Sequence, residues 1–194
     1  SDRPELLVDL GLAQNSPIYA SERAVDELEA FLAKDEDAAS WSAYIGQGAI
    51  RFYLPLDVQL PNPFFSQFVV IARDVEARER LQTRLEGLLA DKFPQAVTRV
   101  APLELGPPVG WPVQYRVNGP NLDKVRDLAL EVAQVMATDP NLRRINYDWM
   151  EPARVVRIVI NQDQARLLGL SSDSVGSAIN SAVTGTTITQ VRDD

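Results

Sequence analysis

The chain has 194 residues, 45% of them hydrophobic, and carries 27 Asp and Glu against 19 Lys and Arg, a formal net charge of −8. That length can bury one large core or two small ones, while the acidic balance argues against sequence-independent binding to nucleic acid or anionic lipid. There is no Cys and no His, which excludes disulfides, thiol nucleophiles and thiolate metal sites and removes the usual acid–base group of neutral pH.

The elements are legible in chain order. Leu6, Val8, Leu10 and Leu12 alternate with Leu7, Asp9 and Gly11, which predicts a strand with one strongly apolar face. Ser21 is read as the cap of a helix whose Val25, Leu28 and Leu32 share one side, widened by Phe31. The charged run Lys34-Asp35-Glu36-Asp37 ends it. Trp41 to Ile45 predicts a strand, Gly46-Gln47-Gly48 a turn, and Arg51 to Leu54 further extended chain. Pro55, Pro61 and Pro63 mark a loop, because repeated Pro disfavours both helix and central strand. Phe68 to Ala72 predicts a strand, Asp74 caps a helix carrying Leu81, Leu85, Leu88 and Leu89, and Pro94 stops it. Val97 to Leu105 then returns to the sheet.

Pro107-Pro108 and Gly110 mark a boundary, after which the plan restarts. Val113, Tyr115 and Val117 alternate as a strand would. Asn121 caps a helix with Val125, Leu128, Val132, Val135 and Met136 at near-heptad spacing, and Asp139-Pro140-Asn141 ends it. Ile145, Tyr147 and Trp149 alternate again, Glu151-Pro152 turns, and Arg154 to Ile160 is rich in β-formers. A short helix from Asp163 to Leu168 follows, with Gly169 placed for a left-handed end. Ser171 or Ser172 can cap the next helix, whose Val175, Ala178, Ile179, Ala182 and Val183 form one stripe towards Gly185. Thr186 to Val191 reads as a new extended segment.

The fold class implied is α+β, two ferredoxin-like βαββαβ (split-βαβ) sandwiches of which the second is incomplete. The expected domains are 1–108, 109–185 as a truncated βαββα unit, and 186–194 as the start of an insertion, so the chain is expected to stop inside a larger protein. No stretch reaches the roughly 18 apolar residues of a membrane helix. The helix-free face of each sheet should meet another domain, another subunit or a ligand.

Several segments carry a family likeness. They are Arg3-Pro4-Glu5-Leu6-Leu7-Val8-Asp9-Leu10, Trp41-Ser42-Ala43-Tyr44-Ile45-Gly46-Gln47-Gly48 and Glu104-Leu105-Gly106-Pro107-Pro108-Val109-Gly110. Asp163, Ala165, Leu168, Gly169, Leu170 and Ser171 add a fourth. In this order they resemble the porter subdomains of resistance–nodulation–division (RND) efflux transporters of the acriflavin-resistance type. The early Gly turn and the strand Gly110-Trp111-Pro112-Val113-Gln114-Tyr115 are more similar to the second large periplasmic loop than to the first. The resemblance implies the third porter subdomain, part of the fourth, and the first residues of a docking domain. It further implies a proton-driven homotrimer of the inner membrane, its periplasmic loops exporting small amphiphilic substrates beside a periplasmic adaptor and an outer-membrane channel. The piece itself is expected to be soluble and mainly monomeric, with no nucleic-acid partner.

By position, the resemblance places Ser42, Tyr44, Gln47, Ala49 and Phe68 near a deep substrate pocket. Gly46, Gln47 and Gly48 fall in a switch loop, and Leu10, Trp111, Val113 and Tyr115 near an outer cleft. Several positions that are Phe in multidrug pumps are Ser, Gln and Ala here, which weakens aromatic stacking and leaves the substrate class open. The plainer readings stand beside these: Phe68, Trp111 and Tyr115 pack a sheet, Gly46-Gln47-Gly48 is an ordinary hairpin turn, and the Pro-rich loop is a stiff surface loop rather than a contact between subunits.

No cofactor and no enzymatic activity are expected. Gly46-x-Gly48 lacks the rest of a nucleotide loop, and no Ser has a His partner. The acidic clusters Asp35-Glu36-Asp37 and Asp193-Asp194 are expected to be solvated. Met136 and Met150, without Cys or His, make a poor soft-metal site. A soluble pair of split-βαβ modules for ligand sensing or assembly is the alternative function.

Overall fold

Strand β1 (Glu5–Gly11) runs through the middle of an antiparallel sheet in a computed structural model that describes residues 2–103, 106, 110–149 and 152–190. Helix α1 (Ile18–Leu32), strands β2 (Ala38–Ile45) and β3 (Phe65–Ala72), helix α2 (Val75–Lys92) and strand β4 (Val97–Pro102) complete the βαββαβ order. The four strands lie as β2-β3-β1-β4. Each helix therefore carries the chain across a strand that is filled from elsewhere in sequence, which is the split-βαβ arrangement.

The register explains the core. Val8 lies opposite Phe68 on β3 and Val100 on β4, and Phe68 lies opposite Ala43 on β2. Side chains alternate across a strand, so Leu6, Val8 and Leu10 share a face with Phe68 and Val70, and all five are buried. Leu28 and Leu32 of α1 and Leu81, Leu85 and Leu89 of α2 cover that face and are buried too. Burying each such side chain stabilises by about 1.5–3 kcal/mol relative to exposure, so this one layer interface dominates the folding of the unit.

Two helix starts differ in how they are made. Asp74 caps α2 as the sequence predicts, its carboxylate accepting the Ala77 N–H at 2.7 Å. Helix α1 instead begins one turn before Ser21, after Pro17, whose missing N–H costs nothing at a helix start. Ser21 lies inside the helix, buried, and its hydroxyl donates to the Pro63 carbonyl at 2.7 Å. The cap residue is thus spent on holding a loop.

The helix-free face of the sheet is partly covered by the chain itself. Residues 46–64 join β2 to β3, and Ala49 and Leu56 within them are buried. Arg51 to Leu54, expected as extended chain, belongs to this loop.

Beyond β4 the chain holds helices without a second sheet among the described residues. Helix α3 (Leu122–Met136) forms with Asn121 as its cap, accepting the Lys124 N–H at 3.0 Å. The strands expected at Val113–Val117, Ile145–Trp149 and Arg154–Ile160 do not form among the described residues. Tyr115, Trp149, Val155 and Val156 are exposed. A β-rich sequence becomes a strand only where a neighbour supplies the ladder, and these three segments pair with none. The expected stripe of α3 is only partly used: Val125, Val132 and Met136 are half-buried while Leu128 and Val135 face solvent, and the buried residue of the helix, Ala133, lies outside that stripe.

The chain divides into two compact units, Ser1–Ala153 and Arg154–Asp194. In the second, Asn161 caps helix α4 (Gln162–Leu167), and Gly169 at φ +69° ends it. The Leu170 N–H donates to the Ala165 carbonyl at 2.8 Å and the Gly169 N–H to the Arg166 carbonyl at 3.1 Å, the paired bonds of a Schellman end. Ser171 then caps helix α5 (Ser172–Thr184) in a capping box with Ser174. The expected boundary at residues 108 and 109 lies outside the described residues. So do most of the junction motif, Met150, Glu151 of the expected Glu151-Pro152 turn, the end of the strand read to Leu105, and Val191 to Asp194 with its acidic pair.

Candidate functional site

A cleft of about 1090 Å³ opens in the first unit, beside the ends of β1 and β4. Asp9, Gly11, Val97 and Arg99 of these strands line its base. Asp57, Gln59, Asn62 and Phe64 of the 46–64 loop form one side, and Trp111, Arg126, Arg144, Tyr147 and Trp149 form another. Aromatic faces alternate with charged and amide groups, which is the lining of a site for a molecule with an apolar body and a polar end.

Each wall has a reason to be where it is. Asp9 occupies an outward position of β1, opposite Gln67 of β3. Gln67 is buried and bridges two partners: its Nε2 donates to Asp9 Oδ1 at 2.7 Å, and its Oε1 accepts the Ala49 N–H at 2.7 Å. Burial pushes the Asp9 carboxyl above the ordinary aspartate value, opposed by the Gln67 hydrogen bond and the Arg99 charge and reinforced by Asp57. One side-chain amide therefore joins the Ala49 segment of the loop to Asp9 of the sheet.

The neck of the same loop is also fixed. The Gly46 N–H donates to the Phe65 carbonyl at 2.9 Å, and the Asn62 N–H donates to the Gly46 carbonyl at 2.8 Å. Gly46 has φ +71°, where L side chains are strained, and a Cβ there would lie 3.1 Å from Ile18 Cδ1. A Cβ on Gly48 would lie 2.8 Å from Gln59 Cβ. Both glycines are required by close approach, and they open a long loop rather than a two-residue hairpin.

The opposite wall is tied to α2 by Arg144, which pairs with Glu86 at 2.8 Å. Arg126 stands differently. Its guanidinium lies 5.6 Å from the centre of the Trp149 ring, and among the described residues its ion-pair partner is Asp123 at 4.0 Å and its buried Nε has no hydrogen-bond partner.

The structure distributes the residues singled out in the sequence. Trp111 lines the cleft. Leu10 and Phe68 lie in the helix-side core, fully buried. Ser42 and Tyr44 sit on the other face of the sheet, opposite Val69 and Gln67. Gln47 is exposed and Ala49 buried in the loop, and Val113 and Tyr115 are exposed and do not line the cleft. The sequence did not point to Asp9, Arg99, Arg126 and Trp149 as site residues. Asp9 had a signal, a carboxylate in the middle of a Leu-rich strand; Arg126 had none, because a helical Arg near an Asp reads as a solvated pair. Among the described residues no group of three or more Asp, Glu, His or Cys gathers where a metal could be held, and no helix is long and apolar enough to cross a membrane.

The first part of the chain is thus a split-βαβ layer beside a cleft of mixed aromatic and charged lining. The sequence profile of the AcrB/AcrD/AcrF family matches residues 73–194, more than half of the chain, and the chain belongs to that family. Among solved structures, the X-ray structure of a heavy metal efflux pump superposes with a TM-score of 0.62 at 14% identity, covering 92% of this chain. The chain spans 19% of that pump's length, and at this identity the likeness concerns the fold alone. SnoaB, a cofactor-independent oxygenase from Streptomyces nogalater, matches with a TM-score of 0.34 at 12% identity, over 54% of this chain and 98% of its own. That superposition is too poor to carry an argument. No curated protein matches the chain.

Proposed function

We propose that the chain is a substrate-binding porter region of a proton-driven RND efflux pump, in the second large periplasmic loop of an inner-membrane homotrimer. In this reading the cleft holds small amphiphilic molecules on their way out, and a periplasmic adaptor and an outer-membrane channel complete the pathway. One observation carries it: Trp111 stands in the wall of a cleft of about 1090 Å³ whose other aromatics, Phe64, Phe65, Tyr147 and Trp149, are interleaved with Arg and Asp. Family membership supports the transport class, and the cleft supports the place. With only two Met and no His or Cys, the chain is poor in the soft donors that select soft cations.

The test is Trp111→Ala in the full-length transporter. The export profile across a broad panel of amphiphilic compounds is expected to change while the amount of transporter stays the same. An unchanged profile would reduce Trp111 to a packing residue and remove the cleft from the transport route.

A further inference from the structure

The charges around the cleft are balanced in number but not in availability. Asp9 accepts a hydrogen bond from Gln67 at 2.7 Å, Asp57 accepts one from Gln59 at 3.2 Å, and Arg144 is spent on Glu86 at 2.8 Å. Arg126 is the exception on the aromatic wall. Among the described residues its buried Nε has no acceptor, and its ion-pair partner, Asp123, is 91% exposed at 4.0 Å, where water screens the attraction. Its guanidinium carbon lies over the Trp149 ring, 5.6 Å from the ring centre, and Trp111 lines the same cleft.

An Arg held against an aromatic ring offers two things at once: planar N–H donors for an anion, and a flat apolar surface beside them. The ligand that satisfies both features has an aromatic ring with a carboxylate, sulfonate or phosphate attached. The net charge of −8 does not prevent this. Exposed charges further away than roughly 8 Å are largely screened at physiological salt, so the local arginine decides. Asp57 and Asp148, which also line the cleft, are the charges that would favour a cation instead, since a hydrogen bond from the neutral Gln59 amide leaves the Asp57 carboxylate charged.

We propose that the Arg126–Trp149 wall makes this cleft selective for aromatic anions. The inference rests on the reading of the cleft as a substrate site and adds the substrate class.

The experiment compares naphthalene-1-sulfonate with 1-naphthylmethylammonium, which share a ring and differ in the sign of charge. Binding of each to the 194-residue chain is measured by calorimetry, for the native sequence, Arg126→Gln, Arg126→Lys and Arg23→Gln. The sulfonate is expected to bind about tenfold more tightly than the ammonium, as a charge-assisted hydrogen bond beside an aromatic ring would give. Arg126→Gln should erase that preference and Arg126→Lys should keep part of it. Arg23→Gln, which removes the same charge from an exposed site on α1, should leave it intact. Equal binding of both probes to the native chain overturns the substrate class and leaves the cleft as a site. So does a preference that survives Arg126→Gln, or one lost equally in Arg23→Gln. Absence of binding by both probes overturns the class and the site together. The comparison of probes on the native chain needs no variant, so a misfolded Arg126→Gln would not rescue the proposal.

Discussion

Gln67 joins Asp9 to the loop that crosses the open face of the sheet, donating to the Asp9 carboxylate at 2.7 Å while accepting from the Ala49 backbone at 2.7 Å. The carboxylate is costly where it stands, because burial raises its pKa above the ordinary aspartate value. A carboxyl whose pKa is raised on folding binds its proton more tightly in the native state. Its charge therefore subtracts stability as pH rises through the ordinary carboxylate range, and subtracts nothing below it.

Asp9→Asn keeps an acceptor for Gln67 and abolishes the charge. It is expected to raise the melting temperature at pH 7, and the gain should vanish as the pH is lowered below about 4, the unfolded aspartate range. Thermal unfolding of both proteins across pH checks it. A gain that does not change with pH would show that Asp9 carries no titration cost.

A second ionic feature has the opposite sign. Arg80 reaches Asp37 at 2.6 Å, and Arg84 reaches Asp35 at 2.7 Å and Asp37 at 2.6 Å, tying α2 to the corner before β2. In the acidic run expected to be solvated, Asp35 and Asp37 are thus paired and Glu36 is exposed. Hydrogen bonds from Arg80 and Arg84 lower the Asp37 carboxyl from 3.8 to about 2, and the Arg84 hydrogen bond also lowers Asp35. A depressed pKa contributes stability above the unfolded value and loses it as pH falls through the folded one. In Asp37→Asn, stability should therefore fall less steeply than in the native chain between pH 3.8 and about 2. Urea unfolding at stepped pH measures the slope, and identical slopes would mean that the pair does not persist in solution.

Gly46 holds the neck of the loop at φ +71° against Ile18. Gly46→Ala adds a Cβ where the left-handed backbone costs about 1–2 kcal/mol. It is expected to lower the melting temperature and to speed hydrogen exchange at Asn62, whose N–H bonds to the Gly46 carbonyl. Gly87→Ala is the control: a Cβ on Gly87, in α2, would meet nothing within 4 Å, and a helix interior favours Ala. Equal effects of the two substitutions would show that Gly46 needs neither its conformation nor its closeness to Ile18.

Local patterns alone determine much of the first half of this chain. The alternation of Leu6, Val8 and Leu10 and the spacing of Leu81, Leu85 and Leu89 fix which faces are apolar, and those residues are buried as a set. Asp74, Asn121 and Ser171 cap the helices they precede, because a cap bonds to backbone only two or three residues away. Such features need no knowledge of distant chain. The segments around Tyr115, Trp149 and Val156 show the limit, since their β-rich composition would give strands only with partners to complete the ladder.

The cleft lies beyond that horizon. Gln67 bridging Asp9 and Ala49, Arg144 reaching Glu86, and Arg126 settling over Trp149 join residues up to 58 positions apart. Composition by itself excludes His and Cys chemistry, and spacing by itself yields the βαββαβ order of the first unit. Which polar groups are buried, which are satisfied and which are left to bind depends on the approach of distant segments, and only the folded chain decides it.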